Sequence, residues 1–584
     1  MKKILNALDR TVLEMCAGLA LANTELHADF KYKFLRKKNI DRSKVSLLSG
    51  GGSGHEPAHA GYIGTGMLDV AVCGDVFASP SQIQVYQAIK DSAGDKGVLL
   101  IIKNYSGDIM NFQSAAFLAE MDGIEVNYIK VDDDIAVEDS LYTVGRRGVA
   151  GTVLVHKLAG AAAQAGLSLA EVKRVAQKTA DHVRSLGFAF SSCTVPAKGS
   201  PTLTIADDEM EYGVGIHGEP GIRREPVASA DQLAQRMVSA LLADMKLDVG
   251  KPHEIALLVN GFGATPLMEL YVFNNSVMGQ LAEKGIRVYR TFVGNYMTSL
   301  DMEGASLSFL VLDDELKGYL DAKSTAPGFP VDGPAASPVY IPLSHENEDH
   351  PVSYKADTSK GGDTIQGEGL SLENVTFLVD KMSEIIIENE VPFCDLDSHA
   401  GDGDFGMSVA KGFRQLKREW SGILAGSKTI GEFLDACSVV IMEHCGGASG
   451  PIWGFAFKYA AKAAGETTSL TLPAFADIMQ AAVEGVQTTG KRSFGRGAVV
   501  GDKTLIDALV PCADAWSEAA RKGDSLMETF KNAAQAAVQG ADKTKEIVAR
   551  MGRAGTVGER SLGYPDAGAH ALGVIFTQIG EALR

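Results

Sequence analysis

A proline-rich segment that separates two halves of different pattern is the feature that most constrains this 584-residue chain. Six of the 19 prolines lie between Pro327 and Pro351, and polar, glycine-rich sequence continues to about Leu370. Because proline lacks an amide donor and disfavours both helix interiors and central strands, we place a linker at residues 323–369. The chain is also too long for one ordinary core, so we expect separate domains at 1–322 and 370–584.

The two halves differ in the spacing of their apolar residues. Upstream of the linker, short β-rich runs alternate with alanine-rich stretches such as 152–178, which predicts α/β layers. The predicted strands are residues 45–48, 69–72, 97–102, 124–129, 255–259, 286–289 and 307–312. A second break near 185–195 would divide this half into two lobes. Downstream, apolar residues recur at helical spacing and predict an all-helical domain, with segments near 430–445, 455–465, 472–487, 503–520 and 525–550.

Composition limits the classes of partner. A net charge of −18 argues against a general nucleic-acid binder and against a basic membrane-surface protein. No apolar run approaches the roughly 18 residues of a membrane-spanning helix, and Asp9 and Arg10 interrupt any signal-peptide pattern. The seven cysteines are scattered and include no CxxC pair, which is typical of reduced thiols rather than a zinc site. We therefore expect a cytoplasmic protein with no nucleic-acid and no membrane partner.

Three carboxylates stand close together after the linker, at Asp397, Asp402 and Asp404. Carboxylates at this spacing repel one another, and a hard divalent cation such as Mg²⁺, which prefers oxygen ligands, would remove the repulsion. Phosphoryl transfer needs such an ion to offset phosphate charge. A turn built from Asp-Gly pairs explains the same residues. The local sequence does not decide between a metal site and a turn.

Near the N-terminus, a predicted strand runs into the glycine loop Gly50–Gly54, which His55 and a probable helix follow. Glycines let backbone amides approach a ligand closely, and a helix N-terminus favours oxygen-rich or anionic groups. We favour a binding loop here over a tight structural turn. Another predicted strand ends just before Lys103 and Asp108. Ligands bind beyond the carboxyl ends of strands in open α/β sheets, so these two side chains are expected to face the same crevice as His55, although either alone could be a solvated loop charge.

A third glycine-rich segment, Glu211–Gly221, surrounds His217. Its glycines formally match GxGxxG, but no long strand precedes them and Glu-Pro-Gly follows where a helix should begin, so we reject a dinucleotide site. A histidine held among glycines is a candidate nucleophile, base or ligand, although a lone histidine is more often structural. In the helical half, the loop His444–Pro451 could hold phosphates through its amides and the Ser449 hydroxyl. No GxxxxGK[ST] motif is present, so this is not a P-loop enzyme.

Together these motifs resemble those of the dihydroxyacetone kinases, over nearly the whole chain. Gly-Gly-Gly-Ser-Gly-His-Glu-Pro, Lys-Asn-Tyr-Ser-Gly-Asp and Gly-Ile-His-Gly-Glu-Pro-Gly are similar to the substrate-domain signatures. The aspartate cluster, Gly-Gly-Ala-Ser-Gly and Gly-Glu-Arg-Ser-Leu-Gly are similar to the nucleotide-domain signatures. Both domains on one chain resemble the ATP-dependent form, because the phosphoenolpyruvate-dependent systems keep them on separate subunits. The resemblance implies a two-lobed α/β substrate domain (DhaK-like), then an all-α helical-barrel nucleotide domain (DhaL-like), in a homodimer.

The resemblance also implies roles in phosphorylating dihydroxyacetone, and glyceraldehyde as a further substrate. His217 would trap the substrate carbonyl as a covalent hemiaminal, which an alcohol such as glycerol cannot form. Asp108 would take the proton from the attacking hydroxyl, and His55 would assist or polarise. The substrate would be held by Gly52, Ser53, Gly54, His55, Lys103 and Asp108.

The nucleotide site implied by the resemblance takes ATP as co-substrate. Asp397, Asp402 and Asp404 would bind two Mg²⁺ ions that bridge the ATP phosphates. The nucleotide would be lined by Phe405, Gly406, Met407, Ser408, Ala448, Ser449, Arg496, Leu505, Arg553, Asp566, Ala567 and Gly568. The phosphoryl group crosses between domains, so the linker must let them meet, within one chain or across a dimer. Phe405, Arg496 and Ala567 stand where many relatives have histidine, a Gly-Gly-Ala-Lys segment and proline.

Three other functions stay open. A tetrulose such as erythrulose differs from the triose by one hydroxymethyl group, which needs only a slightly larger pocket. Some relatives split FAD to cyclic FMN in the helical domain. Some homologues of the α/β half bind transcription factors, so this half could be a non-catalytic carbonyl sensor. The intact aspartate cluster argues against the sensor, which needs no Mg-nucleotide site.

Overall fold

The computed structural model describes residues 2–137, 145–248, 252–343, 352–552, 555 and 557–584. The chain divides into two compact units, residues 1–343 (unit 1) and 344–584 (unit 2). Unit 1 combines helices with mixed sheets, whereas the described part of unit 2 is helical apart from one small pair of strands. The predicted fold class, α/β followed by all-helical, is confirmed.

The first sheet of unit 1 has a parallel core with an antiparallel edge. Its strands are β1 (Leu26–Asp29), β2 (Phe34–Lys37), β3 (Ser46–Ser53), β4 (Val70–Val76), β5 (Val98–Lys103) and β6 (Val126–Val131). Their order is β1-β2-β4-β3-β5-β6, and β4, β3, β5 and β6 run parallel. The helices of this region are α1 (Thr11–Ala22), α2 (Gln82–Ser92), α3 (Ser106–Met121), α4 (Thr152–Gln164) and α5 (Leu169–His182).

The second sheet of unit 1 is mostly antiparallel. Its strands are β7 (Val183–Ala189), β8 (Glu209–Tyr212), β9 (Arg223–Pro226), β10 (His253–Gly261), β11 (Ile286–Gly294) and β12 (Gly304–Val311). Their order is β11-β10-β12-β7-β8-β9, and only the β10–β11 pair is parallel among these strands. Three helices accompany it: α6 (Ala230–Asp244), α7 (Leu267–Glu283) and α8 (Asp314–Asp321). The segment predicted as a lobe break, 185–195, begins inside β7.

The glycine run after the first predicted strand is itself strand. All eight residues of β3 are buried, and β3 continues through Ser53. A Cβ at Gly50 would lie 2.4 Å from the Val72 carbonyl oxygen, and one at Gly52 would lie 2.6 Å from the Ala78 nitrogen. The glycines therefore allow close approach to the neighbouring chain. The α-helix predicted to follow is wrong, because a turn and the single 3-10 turn Ala60–Tyr62 take its place.

Unit 2 is a ring of consecutive helices. They are α9 (Leu372–Glu388), α10 (Glu390–Asp397), α11 (Phe405–Gly426), α12 (Ile430–His444), α13 (Ser449–Ala464), α14 (Leu472–Phe494), α15 (Ile506–Lys522), α16 (Leu526–Lys543) and α17 (Ala567–Ala582). From α11 to α17 each packs against the next, and α9 closes the ring by packing against both α11 and α17. The strands β13 (Gly369–Ser371) and β14 (Ser469–Thr471) form a short antiparallel pair.

An apolar cavity of about 160 Å³ lies between the helices of unit 2. Large side chains such as Leu378, Trp453, Phe475, Trp516 and Phe576 line it. The helices face it with their apolar stripes, as expected for a bundle whose outer face is polar. None of the helices in the described ranges is long and apolar enough to cross a membrane.

Both ends of the predicted linker pack on the units that they leave and enter. Ser324 pairs with Val331 in an isolated bridge, and Phe329 is buried with its ring 4.6 Å from that of Phe292 in unit 1. In unit 2, the amide of Ile365 donates to the carbonyl of Arg584 at 2.9 Å. Residues 324–331 therefore belong to unit 1 and Ile365 to unit 2, although both lie within the predicted linker.

Candidate active site

Four side chains converge at the carboxyl ends of the parallel strands in the first sheet. His55 follows β3, Phe77 follows β4, Lys103 ends β5, and Asp108 lies in the first turn of α3. Carboxyl ends of neighbouring parallel strands meet at one edge of a sheet, which is where open α/β sheets bind ligands. His217 reaches the same place from the loop between β8 and β9 of the second sheet. The structure therefore brings together the three candidate catalytic residues.

The two histidines share one hydrogen bond between their Nε2 atoms, which lie 3.3 Å apart. The other ring nitrogen of His55, Nδ1, is 2.8 Å from the carbonyl oxygen of Thr298. A carbonyl only accepts, so Nδ1 of His55 carries a proton and its Nε2 is an acceptor while the ring is neutral. It follows that Nε2 of His217 is the donor of the shared bond.

Both imidazoles are neutral. Burial, with smaller contributions from the charges of Lys103 and Arg147, lowers the pKa of His217 to about 3. Burial and Lys103 also hold the pKa of His55 well below its usual value. A neutral imidazole can act as a nucleophile or a base, whereas an imidazolium can do neither.

Two aromatic rings enclose the His217 imidazole. Phe77 stacks on His55 with ring centroids 5.0 Å apart and meets His217 edge-on at 5.2 Å. Tyr105 meets His217 edge-on at 4.7 Å. The sequence reasoning missed both residues. Phe77 has a φ of +58°, a conformation that non-glycine residues rarely adopt, and no local sequence signal marks it.

Lys103 and Asp108 form a buried charged pair beside the histidines. The Lys103 Nζ atom lies 3.9 Å from an Asp108 carboxylate oxygen and has no hydrogen-bond partner among the described residues. Burial raises the pKa of Asp108, and the Lys103 charge together with a hydrogen bond from Ser79 opposes that rise. Asp108 is therefore a stronger base than an exposed aspartate.

An open cavity of about 460 Å³ lies in front of these groups. Its lining includes three predicted site residues, Gly52, Asp108 and His217, and the full set is Gly52, Phe77, Ser79, Tyr105, Ser106, Gly107, Asp108 and His217. His55 and Lys103 are buried behind that lining. Ser53 and Gly54 already make hydrogen bonds within the protein. The Ser53 hydroxyl donates to the Gly74 carbonyl at 2.7 Å, and the Gly54 amide donates to Glu56 at 3.0 Å.

In unit 2, the three aspartates predicted to bind metal form a cluster. Ligand oxygens of Asp397, Asp402 and Asp404 all lie within 4.8 Å of one another. The pKa of Asp397 is raised, chiefly by burial and also by the charges of the other two carboxylates, while amides of Gly403 and Phe405 oppose the rise. Three converging carboxylates that repel one another fit a hard divalent cation.

A second cavity, of about 210 Å³, opens beside this cluster. The first residues of α11, α13 and α17 line it, which suits anionic groups because helix N-termini present free amides. The predicted nucleotide residues that line it are Phe405, Ser408, Ala448, Ser449, Leu505, Asp566, Ala567 and Gly568. Gly406 packs against α10, Met407 is exposed, and Arg496 pairs with Asp502, so these three do not line it. Arg553 lies outside the described residues.

The sequence reasoning missed three residues that hold the wall of this cavity, Lys503, Tyr564 and His399, and predicted a fourth, Asp566. The buried ammonium of Lys503 donates to the carbonyls of Thr544 and Tyr564, each at 2.8 Å, and to that of Ser561. The Tyr564 ring stacks on His399 of the aspartate loop, with centroids 3.8 Å apart and planes 12° apart. Asp566, which caps α17, has its pKa raised to about 7 by burial. The Lys503–Tyr564–His399 series thus joins two walls of the cavity.

Comparison with known proteins matches both units to one enzyme family. The Dak1 domain family matches residues 17–328, and the DAK2 domain family matches residues 399–581. The L-erythrulose 1-kinase of Mycolicibacterium smegmatis is 34% identical over 590 residues, covering 100% of both chains. The triokinase/FMN cyclase of Rattus norvegicus is 33% identical, covering 100% of this chain and 99% of the relative.

The α/β half also resembles a separate subunit. The dihydroxyacetone-binding subunit DhaK of the PTS-dependent dihydroxyacetone kinase 1 of Listeria innocua is 53% identical over 320 residues, covering 54% of this chain and 95% of that subunit. Among solved structures, the dihydroxyacetone kinase of C. freundii in complex with AMP-PNP and Mg²⁺ aligns with a TM-score of 0.60 at 30% identity, covering 99% of each chain. With its histidine pair, its aspartate cluster and both domains in one polypeptide, this chain belongs to the dihydroxyacetone kinase family.

Proposed function

We propose that this kinase transfers the γ-phosphoryl group of ATP to dihydroxyacetone, giving dihydroxyacetone phosphate, and that glyceraldehyde is a second substrate. The main support for this proposal is that the neutral His217 imidazole and the buried Asp108 carboxylate line the same cavity. The 53% identity of unit 1 to a dihydroxyacetone-binding subunit supports the choice of sugar.

His217 and His55 would convert the ketone to a hemiaminal with a balanced transfer of one proton. As Nε2 of His217 bonds to the carbonyl carbon, its proton passes to Nε2 of His55, 3.3 Å away. His55 then gives that proton to the carbonyl oxygen, so the adduct forms without net charge. The Thr298 carbonyl fixes the tautomer that makes this possible. Glycerol has no carbonyl, so the same site would reject it.

Asp108 would be the general base for the phosphoryl acceptor. It lines the cavity beside His217, and its raised pKa lets it take a proton from a terminal hydroxyl more readily than an exposed carboxylate would. Lys103 and Gly52 would hold the substrate hydroxyls, and Ser53, Gly54 and His55 would shape the wall behind them. Phe77 and Tyr105 keep the imidazole in place and limit water around the adduct.

In unit 2, Asp397, Asp402 and Asp404 would hold Mg²⁺, and we propose two ions. The metal would offset the charge of the ATP phosphates during transfer. The ends of α11, α13 and α17 would bind phosphate oxygens through their amides. Lys503 and Asp566 would keep the wall of the nucleotide site in position. We further propose that the protein is a homodimer in the cytoplasm. The cytoplasmic location suits the unpaired state of the seven cysteines, all of which lie in described ranges.

A tetrulose kinase is the second candidate, because a full-length relative is named for L-erythrulose and the cavity volume would admit either sugar. The test is a coupled ADP-release assay with Mg-ATP and dihydroxyacetone, glyceraldehyde, erythrulose or glycerol. We expect the highest kcat/KM with dihydroxyacetone and none with glycerol. A preference for erythrulose would reassign the sugar. Binding of ketone without ADP release would indicate a carbonyl sensor, and turnover of FAD alone would indicate the cyclase activity named for the rat relative.

A further inference from the structure

We propose that Arg147 and Glu219 form a clamp that positions the His217 imidazole for carbonyl addition. The inference rests on the proposed function, since it concerns how the hemiaminal histidine is held. Neither residue touches the cavity, so both are positioning residues and not catalytic ones.

The clamp begins at the backbone of the nucleophile itself. One carboxylate oxygen of Glu219 accepts the backbone N–H of His217 at 2.9 Å. The other oxygen accepts from the guanidinium of Arg147 at 3.0 Å. The Arg147 side chain is 3% exposed and that of Glu219 is 11% exposed, so water competes little for these bonds.

The same guanidinium holds the loop on its other side. Arg147 donates from a second nitrogen to the carbonyl of Gly213 at 2.9 Å, and its Nε donates to Asp134 at 2.7 Å. One planar group therefore fixes the chain four residues before His217 and, through Glu219, at His217. Arginine suits this place because its fork offers several donors in fixed directions.

The clamp also accounts for a glycine that the rejected dinucleotide motif left unexplained. A Cβ at Gly215 would lie 1.9 Å from a carboxylate oxygen of Glu219 and 2.7 Å from the Arg147 guanidinium. Any side chain there would push the ion pair apart. The seven residues Gly-Val-Gly-Ile-His-Gly-Glu thus contain His217, the Glu219 carboxylate that accepts its backbone amide, and Gly215, which leaves room for Arg147.

Precise placement matters because addition to a carbonyl needs the ring nitrogen in line with both the substrate and the acceptor His55. The loop carrying His217 has no strand or helix of its own to hold it: it lies between β8 and β9. Without the clamp, the imidazole would keep its intrinsic reactivity but would no longer be held in the orientation that carbonyl addition needs. We therefore expect weaker adduct formation with the nucleotide side unchanged.

The adduct can be observed by ¹³C NMR of full-length enzyme with [2-¹³C]dihydroxyacetone, in which the carbonyl signal is replaced by that of a tetrahedral carbon. We expect Glu219→Ala to raise the Kd for adduct formation by about ten- to hundredfold, the value of a lost charge-assisted hydrogen bond. KM for the ketone should rise with it and KM for ATP should not. Arg147→Lys keeps the charge near His217 and loses the fork, so it should weaken the adduct too.

Glu211→Gln is the matched control. Glu211 also accepts a backbone amide of this loop, that of Gly221 at 3.0 Å, and pairs with Arg224, but it does not hold His217. We expect a lower melting temperature with an unchanged adduct. A wild-type adduct in folded Glu219→Ala and Arg147→Lys, or an equal loss in Glu211→Gln, would overturn the inference. Absence of an adduct in the wild-type enzyme would instead overturn the proposed function.

Discussion

Ser79→Ala should move the acid limb of the pH–rate profile without changing its plateau. The Ser79 hydroxyl accepts from the amide of Asn111 at 3.3 Å, which leaves its proton for Asp108 or for the Pro80 carbonyl. A charged carboxylate is the stronger acceptor of the two. Removing the hydroxyl destabilises the ionised form of Asp108, so the pKa of that carboxyl rises above its already raised value.

The size of the effect follows from that one bond. A hydrogen bond to a charged group contributes about 1.5–3 kcal/mol, and Ser79 is partly exposed, so water can replace part of it and the lower end applies. At about 1.4 kcal/mol for each tenfold change, kcat/KM on the acid limb should fall about tenfold. The base works ionised, so the loss appears as pH falls and vanishes on the plateau. His217 does not contribute to this limb, because its pKa is about 3.

The assay is kcat/KM for dihydroxyacetone against pH at saturating Mg-ATP. Ser81→Ala is the control: it removes the hydroxyl that caps α2, two residues away, and should cost about 1 kcal/mol of stability. Its pH profile should match the wild type. An unshifted acid limb in Ser79→Ala, or the same shift in Ser81→Ala, would refute the assignment of Asp108 as the base oriented by Ser79.

Three further changes test other parts of the proposal. His217→Ala should reduce activity and the preference for ketone over glycerol, and unchanged discrimination in the same ADP-release assay would remove the hemiaminal role. Asp402→Ala should abolish Mg-ATP use because it removes one of the three carboxylates that would bind the metal. The same change at the exposed Asp395 should leave Mg-ATP use intact. Near-normal turnover of Asp402→Ala would show the metal assignment to be wrong. Tyr564→Ala should raise the Mg²⁺ concentration for half-maximal rate several-fold by freeing His399, and Tyr564→Phe, which keeps the stack, should behave as wild type; equal behaviour of the two variants would contradict this role.

Strands were predicted best from the sequence where consecutive residues are all buried. The runs that became β5 and β10 are apolar because parallel or central strands are buried on both faces, so pattern alone identified them. Strands such as β9, with sequence Arg-Arg-Glu-Pro, were missed because three charged residues and a proline show no alternation of apolar and polar side chains. The Gly50–Gly52 run was misread as loop because its glycines serve close packing within a strand.

The candidate sites divide in the same way. Candidates such as His217 and the three clustered aspartates could be predicted because several functional groups fall within one short segment. Arg147 and Lys503 were missed because, apart from Asp134, their partners lie 41 or more residues away along the chain, and most of those partners are backbone carbonyls, which sequence composition does not reveal. The position of the Phe77 ring could not be predicted because this residue has a positive φ, which phenylalanine rarely adopts.

The apolar cavity of unit 2 bears on how the two halves would respond to hydrostatic pressure. Unfolding under pressure is favoured by the internal void volume that it removes. Unit 2 keeps about 160 Å³ of apolar space between its helices, where few atoms offset the loss of packing contacts. Under the proposed function, moderate compression should therefore weaken nucleotide binding by unit 2.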